Sequence, residues 1–194
     1  MVNTMNSRIK AEFARALRLF RYERASSGVF FPAQKVAFGG FFELEGSGGE
    51  EAFGKNTVTL TYLDDILSKY FNNGSVPTAF YIAPFTNNVT PSSSISAATF
   101  ASTLNEYTGY TQSTRVAWTP NGNSTAQSMS NSNAPAEFTI GASSVTITGA
   151  GLLTAGAKGA PTGVCVAAAL FDVPNTMNAG STIKIKYTLG ATAA

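Results

Sequence analysis

The chain has 194 residues, a formal net charge of +2, one cysteine and no histidine. Without histidine there is no Ser-His-Asp nucleophile and no imidazole base or metal ligand. A lone cysteine excludes an internal disulfide, and no apolar run approaches the ~20 residues of a membrane-spanning helix.

The N-terminal 24 residues hold six basic and two acidic side chains. They contain no continuous apolar stretch or small-residue cleavage site, so a secretory signal is not expected. Over 7–24 the periodicity predicts an amphipathic helix. Ile9, Phe13, Ala16, Leu17 and Phe20 form the apolar stripe, and Arg8, Arg15, Arg18 and Arg21 cover the remainder. The stripe either lies on the domain core or docks on a neighbouring subunit. The candidate subunit-binding residues are Arg8, Phe13, Arg15, Leu17, Arg18, Phe20 and Arg21. Residues 25–57 hold apolar pulses broken by Pro32, Gly39 and Gly40, with an acidic turn GSGGEE at 46–51. We read residues 1–57 as an arm, a helix plus an extended segment able to pair with another sheet edge, and 58–194 as a β-domain.

Residues 62–86 read as a helix, a stop and a strand. Leu63, Ile66, Leu67, Tyr70 and Phe71 recur at helical spacing. Thr61 and Asp64 resemble a capping box, and Asp64 and Asp65 suit the positive end of the helix. Asn72, Asn73 and Gly74 tolerate the left-handed turn that ends a helix, and Pro77 prevents continuation. Ala79–Phe85 is aromatic and apolar, as a half-buried strand is. Residues 86–110 read as a long polar loop with one weak apolar pulse. Tyr107–Trp118 reads as a strand, and 119–135 as a turn-rich linker. Four further strands follow over 136–141, 143–156, 163–173 and 181–190. In the last, Ile183, Ile185 and Tyr187 share one face and Lys184, Lys186 and Thr188 the other. Short strands punctuated by Gly, Pro and Asn predict a mainly β protein, a β-sandwich or jelly-roll-like domain with an N-terminal amphipathic helix and one internal helix.

From Ser75 onward seven charged residues occur in 120 positions: Glu106, Arg115, Glu137, Lys158, Asp172, Lys184 and Lys186. Soluble domains carry charge on about a quarter of their residues. Ser, Thr, Asn and Gly supply the polarity instead, and part of this surface is expected to face neighbours. Glu106, Glu137 and Asp172 are the carboxylates a hydrolase could draw on. Glu50-Glu51 and Asp64-Asp65 are adjacent in sequence and do not converge on one point. Tyr107, Tyr110 and Trp118 are candidate ligand-facing aromatics for a sugar or receptor. Nucleic acid would demand more basic residues among them. No catalytic residue, metal site or cofactor is expected. Cys165, within VCVAAALF, reads as a small buried hydrophobe.

The order of these signals resembles a family of small tailed-bacteriophage virion proteins, labelled tail fibre or head decoration proteins. The matching residues are Pro77, Tyr81, Ile82, Ala83, Phe85, Gly109, Tyr110, Arg115, Trp118, Asn133, Phe138, Gly180 and Ile183, over roughly 58–190. Pro84 stands where Leu is usual, and Ser181 replaces an Asp. The resemblance implies a non-enzymatic β-sandwich component of the virion. Its partners would be capsid or neck and tail proteins and further copies of itself, with no membrane or nucleic acid. Among these readings we favour a capsid decoration protein on the head surface over a neck, tail or receptor-binding fibre protein.

Overall fold

A computed structural model describes residues 22–24, 30–32, 36–122 and 127–193. The chain divides into two compact units, Met1–Ala37 with Thr192–Ala194, and Phe38–Ala191. In the first, β1 (Tyr22–Arg24) and β2 (Phe30–Pro32) form an antiparallel ribbon with Tyr22 opposite Pro32. The helix expected over 7–24 therefore does not include its last three residues. Positions 7–21, and with them every candidate subunit-binding residue named above, lie outside the described residues.

The remaining strands are β3 (Val36–Gly46), β4 (Glu51–Lys55), β5 (Thr57–Val58), β6 (Phe80–Phe85), β7 (Val116–Trp118), β8 (Ser128–Ser130), β9 (Ala136–Thr139), β10 (Val145–Leu153), β11 (Cys165–Met177) and β12 (Thr182–Ala193). Two helices accompany them among the described residues, α1 (Leu60–Phe71) and α2 (Ala97–Leu104). One five-stranded sheet runs β5-β11-β10-β6-β7. The other runs β4-β3-β12-β8, with β9 pairing to β12 as well. The two antiparallel sheets enclose one core, in which Ile82, Ala150, Leu152 and Val166 of the first meet Phe42, Leu44, Ile183, Ile185 and Tyr187 of the second. The protein is thus mainly β, a sandwich. β3 and β4 are integral to it, so the domain begins at Phe38 and not at residue 58. β3 pairs with β12 within the chain, and β4 is the edge strand of that sheet.

The two sheets read differently because they are covered differently. On β12, Ile183, Ile185 and Tyr187 are fully buried while Lys184 faces solvent, the alternation of a sheet with one wet face. The first sheet is covered twice. Its outer face receives α2, whose Ala97, Phe100 and Leu104 form a second core with Ala83, Phe85, Leu153, Cys165 and Ala168. That accounts for the unbroken apolar runs of β10 and β11. Phe100 lies so close over Gly151 that a Cβ there would sit 2.4 Å from its ring. α2 interrupts the long loop expected over 86–110. Thr99 Oγ1 accepts from the Ser96 amide at 3.1 Å to open it, and Asn105 closes it with φ of 55°. Tyr107–Trp118 is likewise not one strand: Val116–Trp118 pairs with β6, and Tyr110 makes an isolated bridge to Ile140.

Between β4 and β5 the chain crosses from one sheet to the other at Asn56, whose Nδ2 donates to Tyr187 Oη at 2.9 Å. The crossing needs close approach, and a Cβ on Gly54 would meet Leu170 O at 2.5 Å. Asp172 Oδ1 accepts from the Phe53 amide at 2.8 Å across the same seam. On the opposite edge, β8 and β9 pair with successive stretches of β12. The fully buried Asn131 fills the break. Its Oδ1 accepts from Tyr187 N at 2.7 Å, and its Nδ2 donates to Ile185 O at 3.3 Å. A side-chain amide here substitutes for a missing strand residue.

Candidate functional site

The densest polar cluster is internal. The left-handed turn at Asn105 delivers Glu106 to a bridge with Phe85, at the end of β6. Arg115, 1% exposed, meets it in a bidentate pair, Nε to Oε1 at 2.8 Å and Nη2 to Oε2 at 2.6 Å. Nη1 also donates to Ala155 O at 2.8 Å, and the Arg115 amide donates to Gly156 O at 2.7 Å. Lys158, on the same loop, donates to Thr108 O at 3.0 Å and Tyr110 O at 2.7 Å, and its ammonium sits 3.8 Å from the centre of the Tyr110 ring. Burial lowers the Lys158 pKa, opposed by the Glu106 carboxylate. The cluster clasps the 106–115 and 155–160 loops together. Both carboxylate oxygens of Glu106 are engaged by Arg115, which makes it the buried counter-ion of that guanidinium.

The three candidate ligand-facing aromatics are corrected by their placement. Trp118 is buried, donates through Nε1 to Tyr187 O at 3.0 Å, and meets Phe80 and Tyr187 edge-on. Tyr110 is buried edge-on against Phe138, and burial raises its hydroxyl pKa. Tyr107 is half-buried, tilted against Tyr110, with its hydroxyl accepting from the Gly141 amide at 3.4 Å. These rings belong to the core and its margin, so they form no exposed stacking platform.

The carboxylates are also separated. Glu137 lies on the exposed side of β9 directly across from Lys184 of β12, while Asp172 caps the Phe53 amide. A shallow depression of about 440 Å³ on the outer side of β3 and β4 is lined by Glu43, Glu45, Glu51 and Asp172 together with Phe53. Glu45 stands directly opposite Glu51, a repulsive pairing, and Lys186 of β12 forms a salt bridge to Glu45 that offsets it. Among the described residues no group of three or more His, Cys, Asp or Glu is arranged to hold a metal ion. Cys165 is buried, and desolvation pushes its thiol up to about 12, which keeps it protonated and inert at neutral pH.

What the surface does offer is apolar. α1 is capped by Thr59, whose hydroxyl accepts from the Tyr62 amide at 3.2 Å, so the cap lies two residues before the expected Thr61. Asp64 and Asp65 consequently fall beyond its first turn, and Asp65 pairs instead with Lys69 at 2.8 Å. No residue of α1 is buried. Tyr62 packs against the main core, whereas Leu67, Tyr70 and Phe71 are 59%, 73% and 82% exposed. Leu60 and Val76 extend the exposed apolar surface at either end. The sequence pattern marked this stripe correctly as one helical face but not the direction in which it points.

No protein-family model matches the sequence, and no curated protein matches it.

Proposed function

We propose that this protein is a non-enzymatic structural component of a bacteriophage particle, a capsid decoration protein that acts by binding neighbouring subunits on the head surface. The observation that carries the reading is the helix α1, which leaves Leu60, Leu67, Tyr70 and Phe71 exposed while Leu63 and Ile66 are half-buried. Exposed apolar surface of this kind marks interaction sites. Two further features support it. Each charged group near the expected ligand face is occupied with holding loops together, as the Glu106–Arg115 pair does. The order of sequence signals from the 62–86 segment to the last strand resembles small virion proteins, and the sandwich agrees with the fold that resemblance implies.

The test is the copy number of this protein in purified particles. Copies in the hundreds, matching a shell lattice, support a decoration role. A dozen or fewer would assign it to the neck, tail or baseplate, and absence from particles would overturn the virion reading.

A further inference from the structure

We propose that the uncovered face of α1 is the seat for residues 7–21 of a second copy of this chain, taken up as an amphipathic helix. The inference rests on the reading above that the protein works by binding subunits, since each chain must then offer a contact reaching beyond itself.

The chain holds two apolar stripes of the same period and length. One is visible: Leu60, Leu67, Tyr70 and Phe71 on a 12-residue helix, open to solvent. The other is read from sequence, where Ile9, Phe13, Ala16, Leu17 and Phe20 recur three and four apart, also across 12 positions. At 1.5 Å per residue both stripes run about 18 Å, long enough to meet along their full length. Helices with such stripes interlock side by side, ridge into groove.

Charge matches as well. Residues 7–21 carry five basic side chains against one acidic. α1 carries Asp64 and Asp65 against Lys69, and the Asp65–Lys69 bridge leaves Asp64, which is exposed, as the helix's net negative charge. Asp64 lies one turn before Leu67 and Ser68, at the margin of the apolar arc, where an arginine flanking a docked stripe would reach it. Pairing α1 with α1 of another copy would instead bring like charges together at that margin.

The experiment is sedimentation of the full chain at micromolar concentration, with two double variants: Leu67→Glu with Phe71→Glu on the face, and Phe13→Glu with Leu17→Glu on the segment. Circular dichroism verifies that both remain folded, which for the face variant the exposed position of Leu67 and Phe71 predicts. The wild type is expected to associate, and each double variant to weaken association by at least about tenfold, because two large apolar contacts are lost. An equimolar mixture of the two variants should regain association, since one supplies an intact face and the other an intact segment. A monomeric wild type overturns the inference. So does a segment variant that associates as strongly as wild type, which would mean that α1 meets another surface. A mixture that stays monomeric also overturns it, by excluding exchange between copies. Incorporation into particles is scored separately. Self-association without incorporation counts against the virion reading alone, and incorporation without self-association counts against this inference alone.

Discussion

At the scale of single residues, the polar groups that look most reactive in sequence are the ones the fold uses as fasteners. Arg115 and Glu106 form a buried pair, and two loop carbonyls depend on the same guanidinium. Breaking one half of such a pair costs about 3–5 kcal/mol. We expect Arg115→Met to lose stability on that order in urea titration. Adding Glu106→Leu should recover only part, because Ala155 O would remain without its donor. Asn131 is a quieter case. It was unremarkable in a turn-rich stretch, yet it completes the backbone ladder of β12. Asn131→Ala should cost roughly 1–3 kcal/mol by leaving buried backbone groups unpaired. Cys165 gives a pH signature. Its folded pKa is raised to about 12, so the protonated thiol stabilises the fold fully below the unfolded value near 9, and that contribution is lost as pH rises from about 9 towards 12. Thiol alkylation at pH 8 should proceed only as fast as the protein opens, and denaturant titrations should show alkaline destabilisation that Cys165→Ala reduces.

At the scale of elements, two helices exchange the roles their sequences suggest. α1 has the stronger periodicity, charged ends and a clear stop, and periodicity rightly located it. Much of its stripe nevertheless stays in solvent: Leu63 and Ile66 are half-buried, Tyr62 packs on the core, and Leu67, Tyr70 and Phe71 are exposed. α2 hides in SISAATFASTL, a stretch of Ser, Thr and Ala with no charge. Its signals were a Ser96–Thr99 cap and the spacing of Ala97, Phe100 and Leu104, too sparse to outweigh the polar composition. It can be sparse because Ala83, Ala168 and Gly151 leave room between Phe85 and Leu153 for one large ring. The strands were legible wherever one face is wet, as in β12, and the doubly covered β10 and β11 were legible by their continuous apolar runs. The segment 107–115 reads as a strand but is none, because its backbone groups are taken up one at a time: Thr108 O and Tyr110 O by the Lys158 ammonium, and the amides of Tyr107, Thr111 and Arg115 by Pro84, Thr139 and Gly156, which no local pattern reveals. Opposite outcomes follow for the two helices. Gly151→Ala would press on Phe100 and should destabilise by about 1–3 kcal/mol. Leu67→Glu on the exposed α1 should change the unfolding midpoint of dissociated protein by no more than about 0.5 kcal/mol equivalent.

At the scale of the whole molecule, the sandwich is held by contacts between segments far apart in sequence. Asn56 bonds Tyr187 across 131 positions, and Glu45 meets Lys186 across 141. The boundary expected at residue 57 failed for this reason: β3 and β4 look like an appendage until the strand that receives them is known. Folds dominated by such distant pairings fold slowly, in milliseconds to seconds. Stopped-flow refolding of the denatured chain should therefore lie in that range, and microsecond refolding would contradict the architecture.

The central place of β12 between β3 and the β8–β9 edge has a consequence for biosynthesis. At about 5–20 residues per second, a ribosome needs roughly ten to thirty seconds to travel from β3 to β12. Throughout that interval Phe42 and Leu44 belong to a strand that has been made but has nothing to pair with on one side. During that interval the apolar side of β3 is open to other chains, the kind of exposed surface from which folding intermediates aggregate.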